Sequence, residues 1–328
     1  MKSYLIALYT LLMLTACTNT IGYLPDDEPK KLIVNAMMEA ESDDNRIYLH
    51  YTGWAATTPA TDGIIDLYIN GELTETIKAE ANYYPVKSKF HTGDKVRIEA
   101  STQNGTYWAK AETSIQPPLQ IVKVDTSYVS LREHGSWVGG EPWYNNYLRL
   151  SIQLKQSVPE IADANYRLEI RQVYYTHEWY DARDTLSVDT TYNYSYIFDT
   201  ALMNGKPGQS IDEGVELIQK WNNNFGLFKS NYFKEGAYNL TVDLKEDINY
   251  IHVNANRAER YITIRLYSIS ESEYKYLHAM SAALDFDAEN FIYAVPLIPT
   301  NIQGGIGIFG ISSQAEYSLK EEDCQDRH

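Results

Sequence analysis

Cysteine is nearly absent from this chain: 328 residues hold only two, Cys17 and Cys324. A disulfide-stapled scaffold is excluded, and stability must come from packing, which a chain of this length can supply. Basic residues are scarce too, 28 against 44 acidic ones, for a formal net charge of −16. Such a surface repels phosphate backbones and anionic headgroups, so no nucleic-acid partner is expected. The seven histidines have no metal-ligand spacing that survives inspection. There is no internal repeat and no low-complexity tract. The apolar run at the start, Tyr4 to Ala16, is shorter than the roughly 20 residues a membrane-spanning helix needs.

What that run does resemble is a secretory signal. Met1-Lys-Ser precedes it, and it ends in Leu14-Thr15-Ala16-Cys17. Leu-Thr-Ala-Cys has the form of a bacterial lipobox, whose cysteine thiol is acylated before cleavage makes it the new N-terminus. Lipidation is therefore expected at Cys17, which leaves no cysteine pair for an intramolecular disulfide. Each buried methylene contributes about 0.8 kcal/mol, so two or three acyl chains give lasting attachment. Thr18 follows, not the aspartate that retains many lipoproteins at the inner membrane. The expected address is the outer membrane, with the cell surface favoured over the periplasmic face. Residues 1–16 read as signal peptide and 17–31 as a lipidated tether with little to bury.

The body reads as β-structure. In residues 32–117, Ile65, Leu67 and Ile69 alternate with polar neighbours and run into Asn70-Gly71, a hairpin turn signal. Val96, Ile98 and Ala100 repeat the alternation after Gly93-Asp94, and Asn104-Gly105 marks another hairpin. About seven short strands at such spacing predict an immunoglobulin-like sandwich. Pro117-Pro118 marks the expected boundary. A larger β-rich domain follows over 118–319, with Leu148, Leu150, Ile152 and Leu154 on one strand face and a similar strand over Tyr261–Tyr267. One or two short helices interrupt it. Ser270-Glu-Ser-Glu273 is a capping box ahead of Tyr274, Leu277, Met280 and Leu284, and Ser210-Ile-Asp-Glu213 resembles another. Residues 320–328 form a polar tail.

Several stretches imitate functional motifs. Gly305-x-Gly307-x-x-Gly310 has the spacing of a dinucleotide loop, but Pro299 precedes it and too little chain follows for a βαβ unit. A strand through Gly304, Gly305, Gly307 and Gly310 fits better, the glycines permitting a bulge or close packing. His177-Glu-Trp-Tyr-Asp181 resembles a zinc-protease helix, yet it continues a strand pattern. There the two end side chains would stand roughly 13 Å apart. Asp285-x-Asp287-x-Glu289 lacks the turn glycine and the closing glutamate of a calcium loop. No nucleophile elbow is present. No catalytic residue, metal site or cofactor is assigned. Aromatics are more suggestive: Trp137, Trp143, Tyr144 and Tyr147 stand among Gly and Asn in Ser136–Tyr147, a composition suited to a protein interface or a ligand platform, or else to rings of a strand core.

With those residues in view, the chain resembles the outer-membrane lipoproteins of Bacteroides type grouped as domain of unknown function 4249. Leu32-Ile-Val-Asn35, Phe198-Asp-Thr-Ala-Leu-Met-Asn-Gly-Lys206 and Ile264–Ser270 with Tyr274-Lys-Tyr-Leu277 carry the likeness. So, most of all, does Pro296-Leu-Ile-Pro-Thr-Asn-Ile-Gln-Gly-Gly-Ile-Gly-Ile-Phe-Gly310. Ala36 stands where the family usually has glycine, and 208–231 looks like an insertion. The resemblance implies a C-terminal β-rich domain behind an immunoglobulin-like one, and genes commonly beside TonB-dependent transporters. It implies no reaction. The expected function is a non-enzymatic accessory to a TonB-dependent β-barrel in ligand capture or uptake. The alternatives are a free-standing glycan- or protein-binding surface lipoprotein and, third, a hydrolase. The ligand is not named by the sequence.

Overall fold

The computed structural model describes residues 30–53, 56–102, 105–133, 143–158, 163–180, 183–211, 223–245, 255–284 and 297–321. The chain is mainly β. Eight strands come first: β1 (Leu32–Glu39), β2 (Asn45–Tyr51), β3 (Thr58–Pro59), β4 (Ile64–Ile69), β5 (Glu72–Lys78), β6 (Tyr84–Val86), β7 (Lys95–Thr102) and β8 (Tyr107–Ser114). The alternation sets which face each buries: Ile65, Leu67, Val96 and Ile98 are all at most 1% exposed. Asn70 and Gly71 both take positive φ, 53° and 91°, and close the β4–β5 hairpin. β2 pairs with β1 and β6, while β5-β4-β7-β8 forms a second sheet over the same apolar core. This connectivity is compatible with the immunoglobulin-like sandwich expected from the strand spacing.

The second half repeats the two-layer principle. β9 (Leu119–Glu133), β10 (Trp143–Gln156), β11 (Asn165–Tyr180), β12 (Arg183–Thr191), β13 (Leu227–Lys229), β14 (Ala237–Lys245) and β15 (Ala255–Ile269) precede helix α1 (Glu271–Leu284) and the last strand, β16 (Gly305–Glu321). The sheet β14-β10-β9 faces β11 and β15. Leu148, Leu150, Ile152 and Leu154 pack there with Ile170, Val242, Ile262 and Ile264. α1 lies outside this core, and Tyr274 and Leu277 join Leu227, Tyr267 and Ile269 in a smaller cluster. The second expected helix, after Ser210, falls outside the described residues from 212 onward.

β16 belongs to both halves. From Gly305 to Ser312 it runs parallel to β1, Leu32 opposite Gly305 and Glu39 opposite Ser312. From Ser313 onward it runs antiparallel to β15. Phe309 and Ile311 are fully buried in the N-terminal core, while Leu319 packs on the C-terminal one. At the changeover the Ser312 hydroxyl donates to the Met38 carbonyl (3.3 Å) and Ser313 to the Gln116 carbonyl (2.6 Å). These hydroxyls satisfy carbonyls where the strand leaves one sheet partner for the next. The Pro117-Pro118 link does separate β8 from β9. The N-terminal sandwich nevertheless takes a strand from the far end of the chain, and one continuous sheet joins the halves.

α1 departs from the capping-box expectation in one respect. The Ser270 hydroxyl accepts the Glu273 N–H at 3.1 Å, so the cap forms. The Glu273 carboxyl does not reach back to the cap; it turns inward against Gly310, 3% exposed, with Oε2 lacking a hydrogen-bond partner among the described residues. The buried stripe is Glu273, Tyr274, Leu277 and Ser281, positions that align every third or fourth residue. Leu284, expected on that stripe, is 62% exposed.

Candidate functional site

β16 is a strand from Gly305 onward, its ladder with β1 unbroken, so close approach and not a bulge is what the glycines permit. A Cβ on Gly305 would stand 2.5 Å from the Leu32 carbonyl oxygen, and one on Gly307 only 2.0 Å from that of Val34. Gly307 also holds φ at +111°. The Trp108 ring lies over Gly304, and the Glu273 carboxyl over Gly310. Asn301 locks the segment: its Nδ2 donates to the Phe309 carbonyl (2.7 Å) and its Oδ1 accepts the Phe309 N–H (3.0 Å). Each glycine thus accommodates a different neighbour.

The predicted aromatic platform is not brought together as one surface. Trp137 lies outside the described residues. Trp143 opens β10 opposite Glu133. Tyr144 is 63% exposed, whereas Tyr147 is 5% exposed and takes no part in a surface platform. The reason is the strand period: residues three apart point to opposite faces. Cys17 and the Asp285–Glu289 stretch are likewise outside the described residues. His177 sits within β11, opposite Leu186 and Arg257, so the helical spacing of a zinc motif does not exist there.

What the structure assembles, unforeseen in the sequence, is a cavity of about 610 Å³ beside α1. One wall is α1, through Tyr274, Lys275, His278 and Ala279. Another is β13 and the 3-10 turn after it, through Phe228, Lys229, Asn231 and Tyr232. Ala201, Asn204, Leu297 and Pro299 complete the lining, with Leu297 highly exposed. The Ala201–Asn204 turn is fixed by Asp199, whose buried carboxylate accepts the N–H groups of Ala201 and Leu202 (both 2.9 Å) and Thr241 (2.8 Å). Burial pushes the Asp199 carboxyl above its ordinary range, against the lowering effect of these bonds. Lys229 Nζ stands 4.8 Å above the Tyr274 ring, with which His278 stacks at 6.2 Å. Burial first, and Lys229 second, pull His278 below the usual imidazole range. Four segments distant in sequence meet here, and no single one carries a motif.

The family described as Domain of unknown function (DUF4249) matches residues 20–318, nearly the whole chain and both sandwiches. The chain belongs to this family. The match contains every stretch on which the resemblance rested, including the β16 glycines of this DUF4249 protein. No curated protein matches it. Among solved structures, similarity is found to three N-terminal domains of the bacteriophage RB49 Highly Immunogenic Outer Capsid protein (Hoc), at 10% identity and a TM-score of 0.21. That similarity covers 73% of this chain and 63% of the phage chain, less than two thirds of the latter.

Proposed function

We propose that this DUF4249 protein is a lipid-anchored outer-membrane protein that performs no chemistry of its own and assists a TonB-dependent β-barrel in capturing or admitting a ligand. The observation that carries the reading is Leu14-Thr15-Ala16-Cys17, an acylation signal placed just ahead of the fold. The chain between Cys17 and Lys30 can reach at most about 45 Å, so the first sandwich stays close to the membrane. Held there, it meets membrane neighbours at high effective concentration, and a modest patch can maintain a complex. The class of partner is what the family resemblance implies. The patch we assign centres on Tyr144, the exposed ring of the Trp137–Tyr147 stretch, with the buried Tyr147 outside it.

Two measurements test this. Isolated from native membranes in mild detergent, the wild type should carry a large β-barrel protein with it. Tyr144→Ala should weaken that co-purification about thirtyfold, since truncating an aromatic anchor often costs about 2 kcal/mol, while the melt stays nearly unchanged. If no barrel accompanies the wild type, the accessory reading falls and the free-standing glycan- or protein-binding lipoprotein takes its place. A collapsed melt would instead make Tyr144 a structural residue. Separately, Cys17→Ser should yield an unanchored, uncleaved precursor. A mature wild-type N-terminus without acyl chains, seen by mass spectrometry, would remove the address.

A further inference from the structure

We propose that the cavity beside α1 is a binding site for a small organic carboxylate with an apolar chain or ring. The inference does not depend on the transporter partnership, because it rests on the cavity alone. Its volume, about 610 Å³, lies within the roughly 300–1,000 Å³ of small-molecule sites. Charge is the second point. In a chain with 44 acidic and 28 basic residues, this lining holds, among the described residues, two ammonium groups, Lys229 and Lys275, and no carboxylate.

The two lysines are not equivalent. Lys275 is engaged by Glu271 one turn earlier, at 2.7 Å, on the exposed rim. Lys229 has no ion pair among the described residues, although Glu271 lies within its field. Instead its ammonium is held against the Tyr274 ring face. A cation fixed by a ring on one side keeps its hydrogen-bond donors for an acceptor on the other. Asn204 points the same way: its Oδ1 accepts the Tyr232 hydroxyl at 3.0 Å, and its amide N–H groups have no partner among the described residues. A carboxylate takes bonds from both kinds of donor, and a bond to a charged group is the stronger kind.

The body of the ligand is set by the rest of the wall. Leu297 stands 91% exposed, and Pro299 and the rings of Phe228 and Tyr232 share the lining with it. A leucine this exposed in the lining of a partly apolar cavity gains contact surface only when something apolar enters. A hydroxyl-covered sugar acid would leave it in water; an acyl or aryl acid would cover it.

The test titrates the mature chain with octanoate and phenylacetate, and with octanamide and glucuronate as comparators, by ligand-observed NMR. Octanoate and phenylacetate should bind, and octanamide, which keeps the chain and loses the charge, should bind about tenfold more weakly or not at all. Glucuronate should bind no better than octanamide. Lys229→Met should lower octanoate affinity about tenfold and Lys229→Arg should restore it, with unchanged melting temperatures; Lys275→Met should have a smaller effect. Equal binding of octanoate and octanamide to the wild type would overturn the proposal, and that comparison needs no variant. Binding of glucuronate in preference to octanoate would overturn it as well, as would full octanoate affinity in a folded Lys229→Met protein.

Discussion

Gly307→Ala is expected to destabilise the protein by about 3–5 kcal/mol, several times the roughly 1 kcal/mol of an average substitution. Two independent costs coincide at this position. The backbone at φ +111° is outside what an L side chain adopts readily, worth about 1–3 kcal/mol of strain. The new methyl would also meet the Val34 carbonyl oxygen at 2.0 Å, and relieving that overlap means pushing β16 away from β1, at about 1–3 kcal/mol for overpacking. For a chain of this size the melting temperature should fall by about 5–10 °C. Two other glycines separate the costs. Gly71 has φ +91° but open space where a Cβ would go, so Gly71→Ala carries strain alone. Gly305 has no positive φ but would meet the Leu32 carbonyl at 2.5 Å, so Gly305→Ala carries the clash alone. Each should cost less than Gly307→Ala. If either single-cost variant melts below Gly307→Ala, the parallel β1–β16 contact is not the constraint described here.

The second large effect is a pH dependence centred on Glu273. Its carboxyl is buried between α1 and Gly310 with Oε2 unpartnered among the described residues, and burial pushes it up to about 7, the neighbouring Arg167 opposing only in part. A carboxyl raised from its ordinary 4.5 is neutral in the native protein where it would be charged when unfolded. Its stabilising contribution is therefore complete below about pH 4.5 and is lost as pH rises through about 7. The difference across that window is on the order of 3 kcal/mol. Glu273→Gln removes the titration and keeps the shape, so the variant should gain on the wild type steadily between pH 4.5 and pH 8. Comparing the two melts at each pH cancels the contribution of the many other carboxylates. A difference that does not change with pH would mean that Glu273 reaches solvent or a partner in the folded state.

Both predictions concern residues whose role the sequence expressed only in part. The apolar residues around the β16 glycines, with Pro299 ahead of them, read as a strand, and Gly305, Gly307 and Gly310 do lie in one. What they pack against was not legible. Glu273 read as half of a capping box, since local spacing specifies that a helix starts there. Whether its side chain faces the cap or the interior depends on a strand 37 residues later in the chain. Tyr144 and Tyr147 show the opposite error. Composition grouped them, and the strand period of two separated them onto opposite faces.

By itself, then, the sequence determined what acts locally. Alternating apolar residues chose the strands and their buried faces, Asn70-Gly71 chose a hairpin, and Ser270 opened α1. Each of these depends on a few neighbouring residues and on steric or hydrogen-bonding preferences that need no distant partner. Only the tertiary structure decided that β16 crosses from one sandwich into the other, and that α1, β13 and the Ala201–Asn204 turn enclose a cavity with Lys229 against Tyr274. Period two states which face of a strand is buried but not which strand lies beside it. The pairing of residues 32–39 with 305–312 joins segments some 270 positions apart, and the cavity gathers four segments that share no motif. Such contacts form when whole layers bury their apolar faces together, so no local stretch of sequence contains them.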